Sequence, residues 1–135
     1  MDYEKLKNFL NENDTYCRYS GIKLTHISAG YAEAVMEITP NVLNGRKVVQ
    51  GGAITTLADF AFAGAANSLG TSAVSLNINV NFIAPGTGKF LKAAAEKVHH
   101  GRATCVYSVR VVNDEGKLIA TANINGFIID AKPVV

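Results

Sequence analysis

Residues 52–69 run Gly-Ala-Ile-Thr-Thr-Leu-Ala-Asp-Phe-Ala-Phe-Ala-Gly-Ala-Ala-Asn-Ser-Leu, and no other stretch restricts the fold so strongly. On a helix, Ala53, Ile54, Leu57, Ala58, Phe60, Ala61, Phe62, Ala63, Ala65 and Ala66 cover nearly the whole circumference. A helix that is apolar all round is buried all round, so the rest of the chain must wrap it. Its many alanines and glycines let other backbones come close. Asn67, Ser68 and Gly70 supply the stop.

The wrapping material reads as strands. Residues 22–27 and 31–38 alternate apolar and polar side chains about the turn Ser28-Ala29-Gly30. Ala32, Ala34, Met36 and Ile38 share one face, Glu33 and Glu37 take the other, and Pro40 ends the run. Residues 74–82 keep a strict period of two, and residues 90–98, 103–112 and 118–129 are further extended runs. Pro85-Gly86-Thr87-Gly88, Gly101 and Asn113-Asp114-Glu115-Gly116-Lys117 separate them, the last with glycine at a left-handed turn position. Such tight turns imply antiparallel pairing. Residues 3–10 have helical spacing at Tyr3, Leu6, Phe9 and Leu10, with Asp2 as N-cap, and residues 11–14 read as a turn. The expected class is α+β: a curled antiparallel sheet wrapped around one long central helix, with a short N-terminal helix, as a single domain over residues 1–135.

Composition narrows the function classes. At 135 residues, 48% hydrophobic and 18% charged, the chain fits a soluble globular protein. A net charge of +2 without a basic helix argues against a nucleic-acid partner. The longest apolar stretch, residues 60–66, is too short to span a bilayer. The N-terminus has no apolar signal core, so no membrane association and a cytoplasmic location are expected. Cys17 and Cys105 match no metal spacing and read as reduced thiols, with a single disulfide as the alternative. His26, His99 and His100 have no third ligand at a familiar spacing, and adjacent strand residues face opposite ways, so neither a metal nor a cofactor is expected.

Two features carry chemistry. Asp59 is a lone acid in the apolar helix, and a buried carboxylate is costly. Gly51-Gly52 at the helix start exposes backbone N–H groups at the positive end of the helix dipole, a place for an oxygen bearing negative charge. Together they point to acyl transfer, with an oxyanion stabiliser and a carboxylate base or nucleophile. Gly52 and Asp59 are seven residues apart, near two turns at ~3.6 residues each, and so share a face while standing ~10.5 Å apart along the axis. That is too far to reach one carbonyl. A twofold dimer resolves this, with one subunit's helix start meeting the other subunit's Asp59.

The motifs Asn44-Gly45, Gln50-Gly51-Gly52 and Leu57-Ala58-Asp59 have a family likeness, joined by residues 75–82, Pro85, Gly101-Arg102 and residues 114–120. From about Gly21 to Ile129 the chain resembles the hotdog-fold acyl-CoA thioesterases of the phenylacetic-acid-degradation type. The resemblance implies hydrolysis of an acyl-CoA to free CoA and a carboxylic acid, in a homodimer or a homotetramer of paired dimers. It makes Asp59 the general base or nucleophile and the Gly51 N–H the oxyanion donor. Asn44 would orient the water or the acid, and Gln50 would lie beside the thioester. The family has His where this chain has Gln50, an amide that can donate but cannot titrate. For Ser75 two readings stand: a hydroxyl serving the acid or water, or an outward serine in line with Asn77, Asn79 and Asn81. Gly52 would let the substrate approach the backbone. The Thr56 hydroxyl would line the site, or simply pack. His100 and Arg102, near Lys97 and His99, would meet the CoA phosphates, or form a solvated strand end. The alternative to a hydrolase is a non-catalytic acyl-CoA-binding hotdog protein. A hydratase is a third reading, for which no suitably placed His is found near the central helix.

Overall fold

In the computed structural model, which describes residues 1–135, the apolar segment forms helix α3, Gly51–Ala66, continued by a 3₁₀ turn over Asn67–Leu69. Before it come α1 (Tyr3–Asn13), α2 (Thr15–Tyr19), β1 (Ile22–Ser28) and β2 (Tyr31–Glu37). After it come β3 (Ser72–Phe82), β4 (Phe90–His100), β5 (Thr104–Asn113) and β6 (Leu118–Asp130). The six strands form one sheet in the order β1-β2-β4-β5-β6-β3, antiparallel throughout. The sheet curls round α3, which touches every strand.

Small side chains make this embrace possible. Ala32 and Ala34 of β2, Ala93 and Ala95 of β4, and Ala120 and Ala122 of β6 are buried, as are Ala58, Ala61 and Ala65 of α3. Gly64 is one close crossing. A Cβ there would stand 2.8 Å from Leu24 Cδ2 and 2.9 Å from the Ala32 Cβ. Phe62 is buried between α3 and the sheet, edge-on to the buried Tyr107 ring at 5.6 Å. Gly126 of β6 makes room for it, because a Cβ there would meet Phe62 Cζ at 2.7 Å.

The expected class holds, with three differences in detail. Helix α1 runs on to Asn13, through most of the expected 11–14 turn, and Asp14 caps a second helix, α2, that the sequence reading does not include. Helix α3 begins at Gly51, not Gly52, because Gln50 is its N-cap, with Oε1 accepting the Ala53 N–H at 3.2 Å. Nor is α3 covered on every side within the protomer. Gly52 is exposed, and Thr56, Asp59 and Ala63 are half-buried, a stripe spaced four, three and four along one face. Cys17 and Cys105 are free and buried, and no helix is long and apolar enough to cross a membrane.

Candidate active site

The uncovered stripe of α3 faces α2. Between them lies a cleft of about 280 Å³ lined by Asp14, Tyr16, Cys17, Thr56, Asp59, Phe60 and Ala63. Asp59 is the half-buried acid at its centre. Burial raises its carboxyl above the ordinary range; the Ser75 hydroxyl, turned toward it, pulls the other way, and the nearby Asp14 charge raises it again. Asp14 reaches this position because it caps α2, its Oδ1 accepting the Cys17 N–H at 3.0 Å. Burial first, then the Asp14 carboxylate and, last, Asp59 push the Cys17 thiol up to about 12, so it lines the cleft as a protonated, apolar group.

Ser75 owes its place to a bulge. The pairing of β3 with β6 slips between Ser75 and Asn77, so that Ser75 lies opposite Gly126 and Asn77 opposite the next residue, Asn125. The extra residue, Leu76, puts Ser75 on the face opposite Asn77. Asn77, Asn79 and Asn81 are exposed, across from Asn125, Asn123 and Thr121, while Ser75 turns in toward Asp59. Ser75 is therefore out of line with the exposed row of Asn77, Asn79 and Asn81.

The helix start forms a second cleft, of about 350 Å³, that includes Asn44, Gly51, Ile54, Phe82 and Pro85. The amides of Gly51 and Gly52 have no acceptor within the chain; the first helical bonds come from Ala53 and Ile54 to the Gln50 carbonyl, at 3.0 and 3.2 Å. Asn44 organises the approach. Its Oδ1 accepts the N–H groups of Arg46 at 2.8 Å and Val48 at 3.3 Å, in a tight turn where Lys47 takes a left-handed φ of 65°. Its carbonyl is thus spent on the turn, and its amide NH₂ is left over for a ligand. Gln50 is similarly divided, with Oε1 on the cap and Nε2 free, and it lines a third cleft of about 190 Å³ together with Tyr16, Ala53 and Thr56.

One protomer therefore brings Asp59, Ser75 and Thr56 together at one place and Asn44 and Gly51 at another. Along α3 the Gly51-to-Asp59 rise is ~12 Å. Thr56 donates its hydroxyl to the Gly52 carbonyl at 2.9 Å and lines both clefts beside α2. His100 and Arg102 lie elsewhere, near the C-terminal end of α3. Both ring nitrogens of His100 are engaged, Nδ1 with the Tyr107 hydroxyl at 2.9 Å and Nε2 with the Thr71 hydroxyl at 3.1 Å. Burial first, then Lys97 and His99, lower its pKa. That imidazole is a structural clip with no nitrogen to spare for a phosphate, whereas Arg102 is exposed. Sequence reasoning did not anticipate Asp14, Tyr16 and Cys17 as lining the cleft at Asp59. The available signal was Asp14 as a helix cap ahead of Thr15.

Residues 46–120 match the family model described as Thioesterase superfamily. Over 110 residues, 81% of this chain and 79% of the relative, the sequence is 38% identical to the acyl-coenzyme A thioesterase PaaI of Escherichia coli. The solved structure of the E. coli PaaI protein from the phenylacetic acid degradation operon superposes with a TM-score of 0.91 at 32% identity, covering 98% of this chain and 96% of that one. A variant of the phenylacetic acid degradation protein PaaI from Thermus thermophilus superposes with a TM-score of 0.80 at 33% identity, covering 86% and 100%.

Proposed function

This chain belongs to the thioesterase superfamily as a hotdog-fold thioester hydrolase, and we propose that its substrate is an acyl-CoA, cleaved at a site that two protomers share. The observation that carries the assignment of roles is Asp59: a half-buried acid with a raised pKa, in a cleft, on the same helix whose first two amides have no partner. A carboxylate raised above its ordinary range is a better base near neutral pH than a solvated one.

The chemistry follows from what each group can do. The thioester oxygen accepts the Gly51 N–H, whose donor strength is reinforced by the helix dipole and which has no other acceptor to give up. Asp59 either removes a proton from an attacking water or attacks the carbonyl itself, giving an anhydride that water then opens. On both routes the C–S bond breaks, the CoA thiol leaves with a proton, and a free carboxylic acid remains. Ser75 holds the water or the acid in place. Asn44 and Gln50 each offer an amide NH₂ beside the thioester, and Gly52 keeps the backbone approachable. The exposed Arg102 is the candidate for the CoA phosphates.

A shared site is what the spacing asks for. Asp59 and Gly51 line different clefts of one protomer, ~12 Å apart along the helix. A twofold axis alongside the uncovered α3 stripe would lay one protomer's Asp59 over the partner's Gly51. We assign the protein as a homodimer with two such sites, with pairing of dimers into a tetramer as a further step.

The test is a free-thiol release assay over aryl, short and long acyl-CoAs, run on the wild type and on Asp59→Asn. Turnover falls at least ~10²-fold in the variant, the scale of positioned acid–base catalysis. Wild-type rates in Asp59→Asn would remove Asp59 from the chemistry. Tight binding across the panel with no hydrolysis by the wild type would make the protein an acyl-CoA-binding module instead.

A further inference from the structure

We propose that Tyr16 limits the length of the acyl chain by splitting the groove between α2 and α3 into two compartments, so that the protein favours short, uncharged acyl chains over long ones. The inference rests on the hydrolase reading above.

Two residues line both clefts beside α2: Tyr16 from one wall and Thr56 from the other. They form the partition. On one side is the Asp59 compartment of about 280 Å³. On the other is the compartment of about 190 Å³ that reaches Gln50 and has apolar walls from Ile22, Val42, Leu43 and Ala53. The Tyr16 side chain is 61% exposed, and its hydroxyl makes no hydrogen bond within the chain. Neither core packing nor a polar contact accounts for a large ring at this place.

Chemistry decides which end of the substrate enters. For reaction the carbonyl carbon must come within about 3–3.5 Å of the attacking oxygen. What lies beyond the carbonyl then meets Phe60, Ala63 and the protonated Cys17 thiol, which suit hydrocarbon. The Asp14 and Asp59 carboxylates repel the CoA phosphates and any acyl chain ending in an acid. The acyl group therefore occupies this compartment and the nucleotide stays outside. A volume of about 280 Å³ sits just under the usual lower limit of roughly 300 Å³ for a small-molecule site, which suits a short chain. A longer chain has to pass Tyr16. Without that ring the two compartments become one channel along α3 from Ala63 to Gln50, ~20 Å long at ~1.5 Å per residue. Each methylene newly buried there is worth about fourfold in binding.

The experiment measures kcat/KM by thiol release for butanoyl- through dodecanoyl-CoA and for phenylacetyl-CoA, with wild type, Tyr16→Ala, Tyr16→Leu and Tyr16→Phe. In the wild type, efficiency drops along the longer members of the series. Tyr16→Ala raises the dodecanoyl-to-butanoyl ratio on the order of 10-fold to 10²-fold, the gain from two to four buried methylenes. Tyr16→Leu moves it the same way by less, and serves if the alanine variant does not fold. Tyr16→Phe keeps the wild-type ratio, because the ring and not the hydroxyl is the barrier. An unchanged ratio in Tyr16→Ala and Tyr16→Leu overturns the inference and leaves the hydrolase reading standing, as does a wild type equally efficient on dodecanoyl and butanoyl. A wild type that cleaves none of the series overturns the hydrolase reading, and the inference falls with it.

Discussion

The proposed role of Asp59 as a base rests on surroundings that resist its charge. Burial is the main resistance, Ser75 relieves part of it, and Asp14 adds to it from across the cleft. Of the other α2 groups facing it, the Cys17 thiol is held protonated by burial and by these carboxylates. In the proposed mechanism activity requires ionised Asp59, so kcat/KM should fall on the acid side as pH drops through a pKa above the ordinary carboxylate value. Asp14→Asn separates the charge of Asp14 from its capping role, since asparagine keeps the oxygen that accepts the Cys17 N–H. With the opposing charge gone Asp59 ionises more readily, and the acid limb of the pH profile moves to lower pH with α2 intact by circular dichroism. An unmoved limb would show that Asp14 does not act on Asp59. Asp59 itself was legible in the sequence, because a lone acid among alanines is anomalous. The direction of Ser75 was not: it depends on one extra residue in β3, and Leu76 looks like any other strand residue. The engagement of His100 was equally hidden, because Thr71 and Tyr107 come to it from distant parts of the chain.

At the level of elements, close approach between α3 and the sheet explains the composition of both. Gly64 is one place where that approach is close. Alanine at a helix interior is favoured over glycine by ~1 kcal/mol. Here the added Cβ meets Leu24 and the short, immovable Ala32 side chain, and overpacking of this kind costs about 1–3 kcal/mol. Overpacking outweighs propensity, and Gly64→Ala lowers stability by about 1 kcal/mol. Urea unfolding checks this as a reduced midpoint at unchanged m-value; a raised midpoint would mean that the sheet gives way easily at Leu24. Long, strongly patterned elements such as α3 and the β5–β6 hairpin could be read from sequence because their period is sustained. Helix α2 could not, since five residues are fewer than two turns and show no period. The start of α3 was misplaced by one residue because glutamine is not a favoured N-cap, so the glycines looked like the boundary.

For the whole molecule, the sequence pattern says which face of a strand is buried but not which strand lies beside which. The hairpins β1–β2, β4–β5 and β5–β6 follow from tight turns, whereas the pairings β2–β4 and β3–β6 join distant segments and leave no local trace. That order has a consequence, because it puts β1 and β3 at the two edges. The β1 edge is guarded: Asn11 of α1 donates to the Leu24 carbonyl at 2.9 Å and accepts the Leu24 N–H at 2.8 Å, and a bulge follows between Leu24 and His26. The β3 edge has no such guard. Its 11 residues include no charge and no proline, and Val74, Leu76 and Phe82 are exposed, Leu76 by 65%. Long, bare edges invite pairing with another chain, and this one carries Ser75 beside Asp59, where the proposed site takes a partner's helix start. Leu76→Asp places a charge on that edge at a residue that contributes nothing to the protomer core. Sedimentation should find the wild type as a dimer or larger and the variant as a folded monomer. Turnover in the variant should fall by on the order of 10²-fold, since each protomer then holds an acid without the oxyanion donor it serves. A monomeric variant that keeps its turnover would place the whole site within one chain, and Asp59 would then need another donor than Gly51.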